Sequence, residues 1–87
     1  MVKKILITGG AGFIGSHLAE KIFLEFKKSE IILYDKITYA ANKKYLKNII
    51  NKKNVNFIKG DLLNYKKLED NLKNVDLAIN VAAESHV

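Results

Sequence analysis

The segment Thr8-Gly9-Gly10-Ala11-Gly12-Phe13-Ile14-Gly15 constrains the fold more tightly than any other part of this 87-residue chain. Gly10, Gly12 and Gly15 stand at the spacing G-x-G-x-x-G, and Gly9, Gly12 and Gly15 also fit G-x-x-G-x-x-G. Immediately before the glycines, residues 3–8 carry the continuous apolar run Ile5-Leu6-Ile7, which suits a strand buried on both faces. Immediately after them, from 13 to about 26, Ile14, Leu18, Ile22 and Phe26 recur four residues apart, with Ala19 and Phe23 widening the stripe. Strand, glycine turn and amphipathic helix in that order form the context in which a backbone can cradle a pyrophosphate. Glycines permit the tight turn and the close approach of the chain to the anion. The helix N-terminus adds N–H groups without intrahelical partners and the positive end of the helix dipole. Gly15 is expected to let the helix pack closely on the strand.

Downstream, strands and helices alternate. Residues 30–34 form a second apolar strand that ends on Asp35, and a polar loop follows. A short helix is expected over 43–51 through Tyr45, Leu46, Ile49 and Ile50, then a third strand over 55–58 punctuated by Gly60-Asp61. Asn64 is a candidate N-cap for a helix with Leu68 and Leu72 on one face, and residues 76–82 read as a fourth buried strand. This alternation predicts right-handed crossovers and a parallel sheet, and an α/β fold of Rossmann type, doubly wound, orders these strands 3-2-1-4. Asp35 lies twenty residues beyond Gly15, at the end of the second strand. A carboxylate there accepts hydrogen bonds from both ribose hydroxyls of an adenosine and repels a 2′-phosphate, which favours NAD over NADP. Lys36 beside it tempers that preference.

Composition removes several other classes of function. The net charge is +6, carried by fifteen lysines and no arginine. These lysines are scattered over predicted helix surfaces and loops, without the arginine forks or aromatic rows of a nucleic-acid-binding surface, so no nucleic-acid partner is expected. The chain has no cysteine, which excludes disulfides and thiolate metal sites, and no metal site is expected. No apolar run approaches the ~20 residues that span a bilayer, and the N-terminus lacks the apolar core and cleavage site of a signal peptide. A cytoplasmic protein without membrane contact is expected.

The glycine segment with its following Ser16-His17 resembles the opening of the extended short-chain dehydrogenases/reductases, an NAD-dependent epimerase/dehydratase family acting largely on nucleotide sugars. Three further stretches narrow the resemblance: Tyr34-Asp35-Lys36-Ile37-Thr38-Tyr39-Ala40-Ala41-Asn42, Lys59-Gly60-Asp61-Leu62 and Ala82-Ala83-Glu84-Ser85-His86-Val87. Together these are similar to the dTDP-glucose 4,6-dehydratases, and the similarity spans the whole chain. Ala41 departs from it, standing where these dehydratases usually have glycine. The resemblance implies an NAD-binding segment, residues 1–87, of a lyase that converts dTDP-glucose to dTDP-4-keto-6-deoxyglucose by an internal NAD redox cycle. It further implies that Gly9, Gly12, Phe13, Ile14 and Gly15 meet the pyrophosphate, and that Asp35, Lys36, Ile37 and Thr38 surround the adenosine ribose. Asp61 and Leu62 would lie at the adenine, Val81, Ala82 and Ala83 on the nicotinamide side, and Ser85 at the sugar-nucleotide substrate.

The proton-transfer machinery of that family, a Tyr-x-x-x-Lys pair and an acidic pair, follows later strands than those present here. The chain is therefore expected to be an incomplete Rossmann segment, inactive alone, with a parent that forms a homodimer. Tyr39-Ala40-Ala41-Asn42-Lys43 spells Tyr-x-x-x-Lys, but in the loop after the second strand, at the adenosine end, and is read as coincidence. No catalytic residue is assigned, and His17 and His86 are left outside the site. Two alternatives stand beside the dehydratase: another NAD-dependent nucleotide-sugar epimerase or decarboxylase, and a small non-catalytic NAD-binding module. The last strand, left as a sheet edge, is expected to make the segment self-associate.

Overall fold

The computed structural model describes residues 2–9, 13–36 and 46–81, with Phe13 described by its backbone alone. Strand β1 (Lys4–Thr8) leads through Gly9 towards helix α1 (Phe13–Glu25), and β2 (Glu30–Asp35) follows. Next come β3 (Val55–Lys59), helix α2 (Tyr65–Leu72) and β4 (Leu77–Asn80). The four strands form one parallel sheet in the order β3-β2-β1-β4, as the pattern of the sequence predicts. Of the helix expected over 43–51, Leu46 is helical and 47–51 form turns, with Leu46 O accepting from the N–H groups of Ile49 and Ile50. The rest of that stretch lies outside the described residues.

Residue parity along the strands sorts the side chains onto two faces. Ile5 and Ile7 of β1, Ile31 and Leu33 of β2, and Val55 of β3 face one way, into a core closed by Ala19 and Ile22 of α1 and by Leu46 and Ile49. Leu6, Ile32 and Tyr34 face the other way, against Ile58 and against Leu68 of α2. The chain steps outward from β1 to β2 to β3, then returns across the sheet to β4 on the far side of β1. Crossovers of one hand that run in opposite directions place their helices on opposite faces. This is why α1 and α2 cover different sides.

Two expectations need correction. Ile14 and Phe26 of the predicted α1 stripe are 57% and 37% exposed, while Ala19 and Ile22 are buried and Leu18 and Phe23 are half-buried. A row of residues four apart drifts about 40° around the helix at each step, so its two ends swing away from the sheet and the contact follows mixed three- and four-residue spacing. Strand four is also shorter than 76–82: it spans Leu77–Asn80 and is largely exposed rather than buried. Ile79 reaches the core under α1, whereas the opposite face lies towards α2, which itself has no buried residue. Asn64 does cap α2, accepting from Lys67 N–H at 3.2 Å, and Asn74 ends the connection in the left-handed region at φ 63°. No helix of the described residues is long and apolar enough to cross a membrane.

The amino edge of the sheet is closed by polar contacts. Ser29 Oγ donates to Val2 O at 2.6 Å, Asn54 Nδ2 donates to Ser29 O at 2.8 Å, and one carboxylate oxygen of Asp76 accepts from the backbone N–H groups of Lys3 (2.8 Å) and Lys4 (3.0 Å). Those two donors hold the Asp76 carboxyl below its ordinary value. Because the folded value is depressed, the contribution is present above the unfolded value, about 3.9, and is lost as pH falls through the folded one. Asp76→Asn is therefore expected to lower the urea midpoint at pH 7 and to flatten its dependence on pH below about 4, measured by circular dichroism. The opposite lateral edge has its own consequence. Among the described residues β4 pairs with β1 alone, and Leu77, Ala78 and Ile79 bring no charge to its free side. Sedimentation over a concentration series is expected to show the wild-type chain self-associating and the Ala78→Lys variant, altered at an exposed position, staying monomeric; a wild type that remains monomeric at every concentration would show that this edge is inert.

Candidate dinucleotide-binding site

All four strands are parallel, so their carboxyl ends share one edge, and the strand order reverses between β1 and β4. A crevice at such a reversal is where open α/β sheets take their ligands. Gly9 leaves β1 at this point with φ +79°. Its N–H donates to Tyr34 O at 2.9 Å, while Val81 N–H donates to Thr8 O at 3.0 Å, so the turn is fastened to the ends of both neighbouring strands. A Cβ at Gly9 would stand 2.9 Å from Val81 O and 3.3 Å from Val81 Cβ. Glycine is thus required twice, by the backbone conformation and by the closeness of Val81.

The described part of the chain resumes at Phe13, where α1 opens with no acidic residue in its first turn. Phe13, Ile14 and Gly15 contribute first-turn N–H groups, which have no partners within the helix. No protein carboxylate of that turn competes for the positive end of the dipole. Asp35 closes β2 on the same edge, half-buried, with exposed Lys36 next to it. Asp35 O accepts from Gly60 N–H at 2.8 Å, which joins the end of β2 to the turn carrying Asp61 and Leu62 beyond β3. Gly9, Phe13, Ile14, Gly15, Asp35, Lys36, Asp61, Leu62 and Val81 therefore follow one another along a single edge. Gly12, Ile37, Thr38, Ala82, Ala83 and Ser85 lie outside the described residues, as does the Tyr39-to-Lys43 string.

Two features here were missed by the reading of the sequence. Thr8 Oγ1 donates to Asn80 Oδ1 at 2.5 Å, bridging the ends of β1 and β4 at the reversal. Polar residues closing two otherwise apolar strands were the available signal. The other is Tyr34, 1% exposed, whose hydroxyl donates to Asp61 O at 3.0 Å. Burial raises its pKa, and the Asp61 charge adds to the shift. An apolar groove of about 320 Å³ between α2, β1 and β4 reaches this edge at Leu62, Thr8 and Asn80. Among the described residues no group of three or more His, Asp or Glu is placed to hold a metal ion.

The geometry is that of a Rossmann-type parallel sheet, and comparison with known proteins gives its family. The family profile described as GDP-mannose 4,6 dehydratase matches residues 6–87. The chain belongs to that family. The dTDP-D-glucose 4,6-dehydratase of Dictyostelium discoideum is 44% identical over 99% of this chain and 20% of its own length. The crystal structure of dTDP-glucose 4,6-dehydratase from Bacillus anthracis, in complex with NAD, superposes with a TM-score of 0.81 at 38% identity, over 94% of this chain and 27% of that one. The dTDP-glucose 4,6-dehydratase from Streptomyces venezuelae, with NAD bound, gives 0.82 at 37% identity over 97% and 27%. The chain thus spans a fifth to about a quarter of the length of these family members, and it corresponds to their NAD-binding N-terminus. Within this family segment the turn at Gly9 combines a positive φ with a close backbone approach. Gly9→Ala is expected to destabilise the chain by about 1–2 kcal/mol from the positive φ alone, with the Val81 clash adding to it, measured as a shift in the urea unfolding midpoint.

Proposed function

We propose that this chain is the NAD-binding segment of a dTDP-glucose 4,6-dehydratase, an NAD-dependent lyase of nucleotide-sugar metabolism. The observation that carries the reading is the alignment of the Gly9 turn, the open first turn of α1 and Asp35 along one sheet edge where the strand order reverses. The cofactor fits this arrangement. A Cβ at Gly9 would crowd the strand ends, the first turn of α1 supplies N–H donors for an anion, and Asp35 supplies the acceptor for a ribose.

In this reading the pyrophosphate lies over the β1–α1 turn, against Gly9, Gly12, Phe13, Ile14 and Gly15. The adenosine ribose lies at Asp35, with Lys36, Ile37 and Thr38 around it, and the base extends towards Asp61 and Leu62. Val81, Ala82 and Ala83 pass beneath the nicotinamide side, and Ser85 faces the sugar nucleotide. Bound NAD would supply the hydride acceptor for oxidation of the sugar at C4, and after loss of water across C5 and C6 would give the hydride back at C6, so that the net change from dTDP-glucose to dTDP-4-keto-6-deoxyglucose is the loss of one water with NAD regenerated. The residues of this chain bind and orient the cofactor; the proton-transferring tyrosine, lysine and acidic pair belong to later parts of the parent, a cytoplasmic homodimer. The 87 residues alone are inactive in this reading.

Titration calorimetry on the chain is expected to show NAD bound more tightly than NADP. Asp35→Ala should weaken NAD by roughly ten- to a hundredfold, the loss of hydrogen bonds to a charged acceptor, and change NADP little. Equal NAD affinities for the two proteins would remove Asp35 from the site.

A further inference from the structure

Among the described residues Tyr34 is the largest fully buried side chain, and it lies beneath the turn that follows β3. A Cβ built on Gly60 would fall 2.4 Å from the Tyr34 Cζ and hydroxyl oxygen. The ring therefore occupies the space that any other residue at 60 would need, and the two positions match as a pair. Above this contact the Tyr34 hydroxyl donates to Asp61 O at 3.0 Å, and the same carbonyl accepts from Asn64 N–H at 3.0 Å. One carboxylate oxygen of Asp61 accepts from Leu63 N–H at 2.9 Å. The turn is solvent-exposed at Asp61, Leu62 and Leu63, so Tyr34 is a buried anchor under an exposed loop.

Strand order says what that loop faces. With an anion at the β1 end and a ribose at Asp35 on β2, the next strand outward is β3, and the ring attached to the ribose reaches the turn at Asp61. An adenine presents there a 6-amino donor beside a ring-nitrogen acceptor, and the turn offers carboxylate and carbonyl acceptors beside backbone N–H donors. We propose that Tyr34 is a positioning residue for the base end of the dinucleotide site: its buried hydroxyl holds the Asp61–Asn64 turn in the register that reads the adenine edge, and Gly60 leaves room for its ring. The inference rests on the cofactor reading above. Because Asn64 N–H still satisfies the Asp61 carbonyl when the phenol is gone, removing the hydroxyl loosens the position of the turn more than it destabilises the fold.

Tyr34→Phe keeps the ring and removes only the hydroxyl. Calorimetry with NAD and with its hypoxanthine analogue, in which the amino donor becomes an acceptor, separates reading of the base from cofactor affinity in general. The wild-type chain is expected to prefer NAD. The variant should lose about three- to tenfold of that preference through weaker NAD binding, the worth of one hydrogen bond, with its melting temperature within a few degrees of wild type. An unchanged preference in Tyr34→Phe would overturn the inference while leaving the cofactor reading intact. Equal weakening of both ligands together with a large drop in melting temperature would overturn it as well, assigning Tyr34 to packing alone. A wild-type chain that binds neither dinucleotide would remove the cofactor reading, and this inference with it.

Discussion

The two-sided pairing of β1 is the constraint on which the rest of the molecule depends. β1 is hydrogen-bonded to β2 on one side and β4 on the other, and its Ile5 and Ile7 are 0% exposed. Because both neighbours run parallel to it, every chain segment leaving a strand at its carboxyl end emerges on one edge. That single fact gathers Gly9, Asp35, the Asp61 turn and Val81, which come from four separate parts of the chain. It also divides the labour between the edges. The amino edge is stitched by side chains of Asp76, Ser29 and Asn54, while the carboxyl edge is held by backbone bonds from Gly9, Gly60 and Val81 to the ends of the neighbouring strands.

The two faces of the sheet are unequal. The face under α1 buries side chains from α1 and from the turn at 46–50, whereas the other rests on α2, a short helix with no buried residue. Its Lys66, Lys67, Glu69 and Asp70 are polar, and Leu72 is 41% exposed. Weak burial makes a region prone to local opening. The Asp61 turn leads directly into this helix, which anchors it through the Asn64 cap but adds little burial. It is secured from below, by the Tyr34 ring beneath Gly60 and the hydroxyl on the Asp61 carbonyl. A buried tyrosine at the end of β2 thereby does for this turn what the backbone bonds to the neighbouring strands do for the one at Gly9.

Much of this was legible in the linear order of residues. The apolar runs, the glycine segment, Asp35 and the Asn64 cap are local signals, set by period, backbone freedom and short-range hydrogen bonding, and β1, β2, β3, Gly9, Asp35 and the Asn64 cap stand where the pattern places them. The α1 stripe misled because four-residue spacing drifts around a helix, and which part of a drifting stripe meets the sheet depends on how the helix is docked. Strand four misled because an apolar run signals a strand without signalling what covers it. Tyr34 reads in the sequence as the last apolar residue of a strand and Gly60 as punctuation after another. What the sequence determined by itself was the identity and order of the elements, since each is dictated by residues close along the chain. Only the tertiary structure decided that Tyr34 meets Gly60 and Asp61, that Thr8 meets Asn80 and that Gly9 is closed in by Val81, because those contacts join distant segments whose approach is set by strand register, which no local stretch encodes.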